Sequence, residues 1–200
     1  MGKAFILTLV FCCGFSLALS AQNTDSLILP NETVYYSIES ALKNPDLVYN
    51  LKLSKKKITS FPKEILLLKN LKYLDLSKNK IQEIPPEIAM LNHLEVLDLS
   101  KNKIVKFVKE ICLLKNLKTL RLNRNELDGI PPEIENLKGL ETLDLWDNNL
   151  VDFPDNLSKL EQLKVFDLRG VLIDKKSQIH IEELLPNTKI YFSPSCNCGF

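Results

Sequence analysis

Hydrophobic positions in this chain recur in blocks. Between Val48 and Gly170, leucine, isoleucine and phenylalanine return at a fixed step of 23 residues. The blocks LKYLDLSKNKIQEIPPEIAMLNH, LEVLDLSKNKIVKFVKEICLLKN, LKTLRLNRNELDGIPPEIENLKG and LETLDLWDNNLVDFPDNLSKLEQ start at Leu71, Leu94, Leu117 and Leu140. One step back, VYNLKLSKKKITSFPKEILLLKN starts at Val48. One step forward, LKVFDLRG from Leu163 keeps only the opening half. Five complete repeats and a partial sixth follow one another without gaps.

Each block opens with apolar and polar residues in alternation, as a strand with one buried face requires. Leu74 and Leu76, Leu97 and Leu99, Leu120 and Leu122, and Leu143 and Leu145 therefore point inward. Three residues beyond each pair stands Asn79, Asn102, Asn125 or Asn148. A buried turn cuts backbone groups off from water, and a column of carboxamides can satisfy them from coil to coil. Lys56 and Val171 take the asparagine place in the outermost blocks, so the column ends at both termini of the array. Ile84, Phe107, Ile130 and Phe153 fill the opposite wall. Pro85, Pro131 and Pro154 follow three of them, where extended backbone donates no ladder bond. One coil cannot bury this much apolar surface alone, whereas stacked coils share a continuous core.

The pattern LxxLxLSxNxIxxIPxEIxxLxN resembles the leucine-rich-repeat family, in the 23-residue class found in bacterial secreted or surface proteins. The resemblance implies an α/β fold: a right-handed solenoid, a short horseshoe with a parallel sheet on its concave face. It also implies a binding role on that face, without naming a partner. Residues 35–47 are expected to form a short helical cap, with Ser37 as N-cap and Asn44–Pro45 ending the helix. The repeats occupy 48–170. Residues 171–192 form a second cap, a helix from about Ser177 to Leu185 and an edge strand from Lys189 to Phe192.

The ends differ in character. Residues 1–21 hold Lys3, an apolar run from Ala4 to Leu19 and small residues before a polar stretch, the pattern of a secretory signal peptide. Residues 22–34 are expected to be a flexible tail, and 193–200 a tail carrying Cys196 and Cys198. Cleavage would leave 25 basic and 25 acidic side chains and no stable membrane span. That balance offers no basic excess for nucleic acid. It would also leave three cysteines, an odd number that points to a free thiol, a bridge between chains or a shared metal ligand. Cys112 is expected at an exposed or half-buried convex position. Asn31 and Asn156 open glycosylation sequons, relevant only along a eukaryotic secretory route.

Parallel stacking places four rows of side chains on the sheet side. The third positions are Asn50, Tyr73, Val96, Thr119, Thr142 and Val165; the fifth are Lys52, Asp75, Asp98, Arg121, Asp144 and Asp167. The seventh are Ser54, Ser77, Ser100, Asn123, Trp146 and Arg169; the eighth are Lys55, Lys78, Lys101, Arg124, Asp147 and Gly170. Trp146 is the single tryptophan, standing where earlier repeats have Ser or Asn. Trp beside Arg is the composition of an interface hot spot. Trp146, Arg169, Arg121, Tyr73, Asp144, Asn123 and Arg124 form the candidate partner-binding set. The aspartate row reads as a solvated acidic stripe, and the basic row as a charged edge partly neutralised by it.

No catalytic, metal-binding or cofactor-binding set is found. His93 and His180 are the only histidines, and no glycine-rich phosphate loop, HExxH or GxSxG occurs. The expected function is therefore an exported, non-catalytic module recognising an extracellular or host cell-surface protein. The alternative is an envelope protein that self-associates, as a homo-oligomer, through its edge strand or terminal cysteines. Six strands at about 4.8 Å, each exposing roughly 13 Å, present near 400 Å². A standard interface uses about 800 Å² per partner, so flanking loops are expected to contribute.

Overall fold

The computed structural model describes residues 33–193; the expected leader over 1–21, the tail to residue 32, Asn31, Cys196 and Cys198 lie outside them. Eight parallel strands form one sheet in chain order. They are β1 (Val34–Tyr35), β2 (Asn50–Lys52), β3 (Tyr73–Asp75), β4 (Val96–Asp98), β5 (Thr119–Arg121), β6 (Thr142–Asp144), β7 (Val165–Asp167) and β8 (Lys189–Tyr191). Pairing runs in register at the repeat step, with Leu74 opposite Leu97 and Leu97 opposite Leu120. The 23-residue period thus fixes which side chains face the core, because a one-residue slip would turn every leucine outward.

On the far side each coil forms a five-residue 3-10 turn: Lys63–Leu67, Pro86–Met90, Lys109–Leu113, Pro132–Asn136 and Asp155–Lys159. A proline in extended conformation precedes four of these turns, and Val108 takes the same conformation before the third. The core lies between sheet and turns. Leu74, Leu97, Leu120 and Leu143 are fully buried, as are Ile88 and Ile134. Ile84, Phe107 and Ile130 close the opposite wall, with Phe153 partly buried against it.

The asparagine column binds the coils together. The Asn102 side chain donates to the carbonyls of Leu76, at 3.0 Å, and Leu99, at 2.9 Å, and accepts from the Ile81 N–H at 3.0 Å. Asn79, Asn125 and Asn148 make the same set one repeat along. Each carboxamide spans two coils, so its bonds hold turn geometry and stacking together.

The caps differ in detail from the expectation. Ser37 caps α1 (Ile38–Ala41), accepting from the Ser40 N–H, and a 3-10 turn follows at Pro45–Leu47. Val34 is strand and not tail, because Val34 and Tyr35 pair with Asn50 and Leu51 and so cover the edge of β2. The C-terminal helix α2 (Lys175–Leu184) starts earlier than expected, since Asp174 accepts from the Ser177 N–H and serves as its N-cap. Cys112 is fully buried, contrary to the expected convex exposure. It belongs to the hydrophobic core, and burial pushes the thiol up to about 12, leaving it unreactive at neutral pH.

Candidate functional site

The sheet side is built in layers of depth. At the fifth position the carboxylates are not a solvated stripe. Asp75, Asp98 and Asp167 are buried and Asp144 half-buried. Each accepts the backbone N–H two residues on: Ser77 at 2.8 Å, Ser100 at 2.9 Å, Trp146 at 3.2 Å and Arg169 at 3.1 Å. They serve the turn that ends each strand. Burial pushes the Asp98 and Asp144 carboxyls above the usual range, against the pull of these hydrogen bonds and of Arg121. Arg121 interrupts the row between Asp98 and Asp144 in register. Its Nη1 lies 3.8 Å from Asp98 Oδ2, and the side chain is only 15% exposed. It is thus largely a counter-ion for buried Asp98 and half-buried Asp144 and offers a partner little surface.

Two other members of the expected binding set are withdrawn. Tyr73 is 1% exposed, on a strand flanked by the equally buried Asn50 and Val96. Strand spacing of about 4.8 Å lets a row of side chains shield its own middle. Asn123 is buried as well and donates to Asp144.

The outer layer comes from the eighth position. Lys55, Lys78, Lys101, Arg124 and Asp147 all have φ between 54° and 60°, and Gly170 has φ 74°. A left-handed non-glycine residue costs about 1–2 kcal/mol. Each is held there by a bond to the next coil: Lys55 N–H to Ser77 O at 3.1 Å, Lys78 to Ser100 at 2.8 Å, and Arg124 to Trp146 at 2.7 Å. The turn is therefore rigid, and its side chains project at a constant pitch.

At the C-terminal end of the sheet these layers carry an aromatic and cationic stack. The Arg124 guanidinium lies 4.5 Å from the centre of the Trp146 ring, with Arg169 at 5.8 Å from the same ring. Arg169 also lies 5.5 Å from the Tyr191 ring, and Lys189 Nζ is 4.9 Å from it. Salt bridges orient the arginines. Arg169 forks onto Asp167, and Arg124 Nε lies 3.6 Å from Asp147. Trp146 is half-buried. A cavity of about 350 Å³ beside it is lined by Arg121, Thr142, Asp144, Val165, Asp167, Arg169 and Tyr191. The structure thus brings Trp146, Arg169 and Arg124 together. Tyr191 joins them, a residue that sequence reasoning missed. It pairs with Asp167, 24 residues earlier, so the repeat step lands on Ile190 instead.

Among the described residues no group of three or more His, Cys, Asp or Glu could hold a metal ion. His93 is exposed, and His180 Nε2 lies 2.9 Å from Asp155 Oδ1 at the cap surface. No helix of the described residues is long and apolar enough to cross a membrane.

The family model for a leucine-rich repeat region matches residues 47–189, which takes in the whole array and most of the C-terminal cap. The chain belongs to the leucine-rich-repeat family. No curated protein sequence matches it. Among solved structures, a leucine-rich-repeat protein of Leptospira interrogans is 39% identical, with a TM-score of 0.67 over 76% of this chain and 38% of that one. Internalin C2 of Listeria monocytogenes is 27% identical, with a TM-score of 0.65 over 76% of this chain and 64% of its own. The ectodomain of the Arabidopsis thaliana receptor kinase GASSHO1/SCHENGEN3, solved with CASPARIAN STRIP INTEGRITY FACTOR 2, is 30% identical. Its TM-score is 0.63 over 80% of this chain and 19% of that one. This leucine-rich-repeat chain therefore spans less than two thirds of each of these neighbours. The fold is a leucine-rich-repeat solenoid of the kind that commonly mediates protein–protein contact.

Proposed function

We propose that this leucine-rich-repeat protein is an exported, non-catalytic binding module that takes an extracellular or host cell-surface protein on its sheet side. The observation that carries the reading is the stack of Arg124, Trp146, Arg169 and Tyr191, in which Trp146 and Arg169 stand where four repeats supply small polar residues. Half-buried aromatic rings with arginines already oriented lose little rotamer freedom on binding. The listerial internalin and the ligand-bound receptor ectodomain lend the reading support by analogy, as does the leader-like sequence over 1–21. Eight strands raise the available sheet to about 500 Å², still below the roughly 800 Å² of a standard partner surface. A partner must therefore also meet the flanking turns.

The test is a binding screen against extracellular and cell-surface proteins with wild type beside Trp146→Ala/Arg169→Ala. A partner held by wild type and lost by the double variant supports the reading. Equal retention by both moves the site away from the stack. Self-association is the competing outcome, read by sizing the protein across concentration and with reductant. Edge pairing is disfavoured by the brevity of β8 and by Lys189, since short edges carrying lysine resist it.

A further inference from the structure

The sheet side also carries charge that is sorted by depth. A trough of about 760 Å³ runs along it, with Lys52, Lys55, Lys78, Lys101 and Arg121 against three carboxylates, Asp75, Asp98 and Asp144. The carboxylates lie at the base, buried or half-buried and accepting backbone N–H bonds. The lysines of the eighth position lie at the rim. Lys55 and Lys78 are exposed and Lys101 half-exposed, and among the described residues none of the three has an ion pair. The aspartates form no ion pair with these three lysines, and the five cationic side chains along the trough outnumber its three carboxylates.

The rim is also a ruler. Each lysine sits in the same left-handed conformation, its N–H tied to the next coil, so successive ammonium stems leave the backbone one strand apart. Three cations at roughly 4.8 Å span about 10 Å, the reach of four consecutive residues of an extended chain at roughly 3.4 Å per step. The fourth cation, Arg124, is bound to Asp147, where the row changes sign, and is stacked on Trp146, which closes the rail at the aromatic side chains.

We infer that the trough takes an extended acidic polypeptide segment, a run of three or four Asp or Glu laid along Lys55, Lys78 and Lys101 and leading to the ring of Trp146. The inference rests on the binding role proposed above and specifies the chemistry of the partner. Exposed pairs are individually weak and screened by salt. The rail therefore selects and orients the partner, while the aromatic stack holds it.

The probe is a fluorescent decapeptide carrying four consecutive Glu and one aromatic residue, compared by polarisation with its Gln counterpart on the full chain. The decisive variant is Lys55→Asn/Lys78→Asn/Lys101→Asn, since Asn removes the charge yet tolerates the left-handed backbone. An unchanged thermal midpoint certifies its fold. The expected results are preference for the Glu peptide, a loss of about tenfold in the triple variant, and weakening in high salt. Equal binding of the two peptides, or full retention by the triple variant, overturns the inference. So does binding of a sulfated glycan without the Glu peptide, which would assign the rail to a polysaccharide. A screened protein partner that depends on Trp146 but ignores the triple variant removes the rail and leaves the binding role standing.

Discussion

Two rows of the same solenoid, one at the flank and one on the sheet side, obey opposite rules. The asparagine column is chemically identical through four repeats, and every member spends its carboxamide on the coils around it. The seventh-position row runs Ser, Ser, Ser, Asn, Trp, Arg; its last two members keep the backbone bond to the aspartate two residues earlier, but their side chains meet across an aromatic ring. Repetition in this fold marks what the coils need to stack. Departure from it marks positions that stacking leaves free, and these gather at the C-terminal end of the sheet.

The comparison is broken most severely at the column. Asn102→Ala removes two donors' worth of bonding and orphans the Ile81 N–H in a buried turn. At about 1–3 kcal/mol per buried unsatisfied group, a loss of about 3 kcal/mol is expected. Chemical denaturation should find it, and a change below about 0.5 kcal/mol would mean that water replaces the carboxamide. The aromatic row should behave the other way. Trp146→Ala is expected to cost under about 1 kcal/mol in stability but at least about 2 kcal/mol in partner affinity, as truncated hot spots do. Titration calorimetry with a captured partner, set beside a melting curve, separates the two.

A smaller effect sharpens the role of repetition itself. Val108 has φ −66° and ψ 127°, close to Pro85 and Pro131 in the adjacent coils. Restoring the repeat with Val108→Pro should stabilise by about 0.4–1 kcal/mol through the unfolded chain, leaving binding untouched. Destabilisation would show that the valine side chain packs in a way the ring cannot.

Burial raises the Asp98 carboxyl above 3.8, its ordinary value. The folded protein then binds its proton more tightly than the unfolded chain does. Its favourable contribution is complete in acid and lost as pH rises above 3.8 through the folded value. Asp98→Asn keeps an acceptor for the Ser100 N–H and removes the titration. Its midpoint relative to wild type should climb with pH over that window, and a parallel pair of curves would show that burial is offset in full by Ser100 and Arg121.

The solenoid was legible in the sequence because its period is unbroken: inward leucines, asparagine column and wall residues all follow from one 23-residue step. The candidate site was legible in part. Trp146 stood out as a departure from the pattern with Arg169 beside it, while Tyr191 did not, because the cap inserts one residue and shifts the step to 24. Depth was the other hidden quantity. Row membership placed Tyr73 and the aspartates on the sheet side, but alternation distinguishes faces and says nothing of how far a side chain sinks among its neighbours. Tyr73 is buried between adjacent strands, and the aspartates turn inward to the backbone N–H groups that end each strand.

The central claim is that the departing row binds a partner and contributes little to the fold. Its most direct test is the paired measurement of thermal midpoint and partner affinity for Trp146→Ala/Arg169→Ala against wild type. The account predicts a midpoint within a few degrees and an affinity reduced by tenfold or more, at about 1.4 kcal/mol per tenfold. An unchanged affinity, or a loss of affinity that only accompanies a collapsed midpoint, would contradict it.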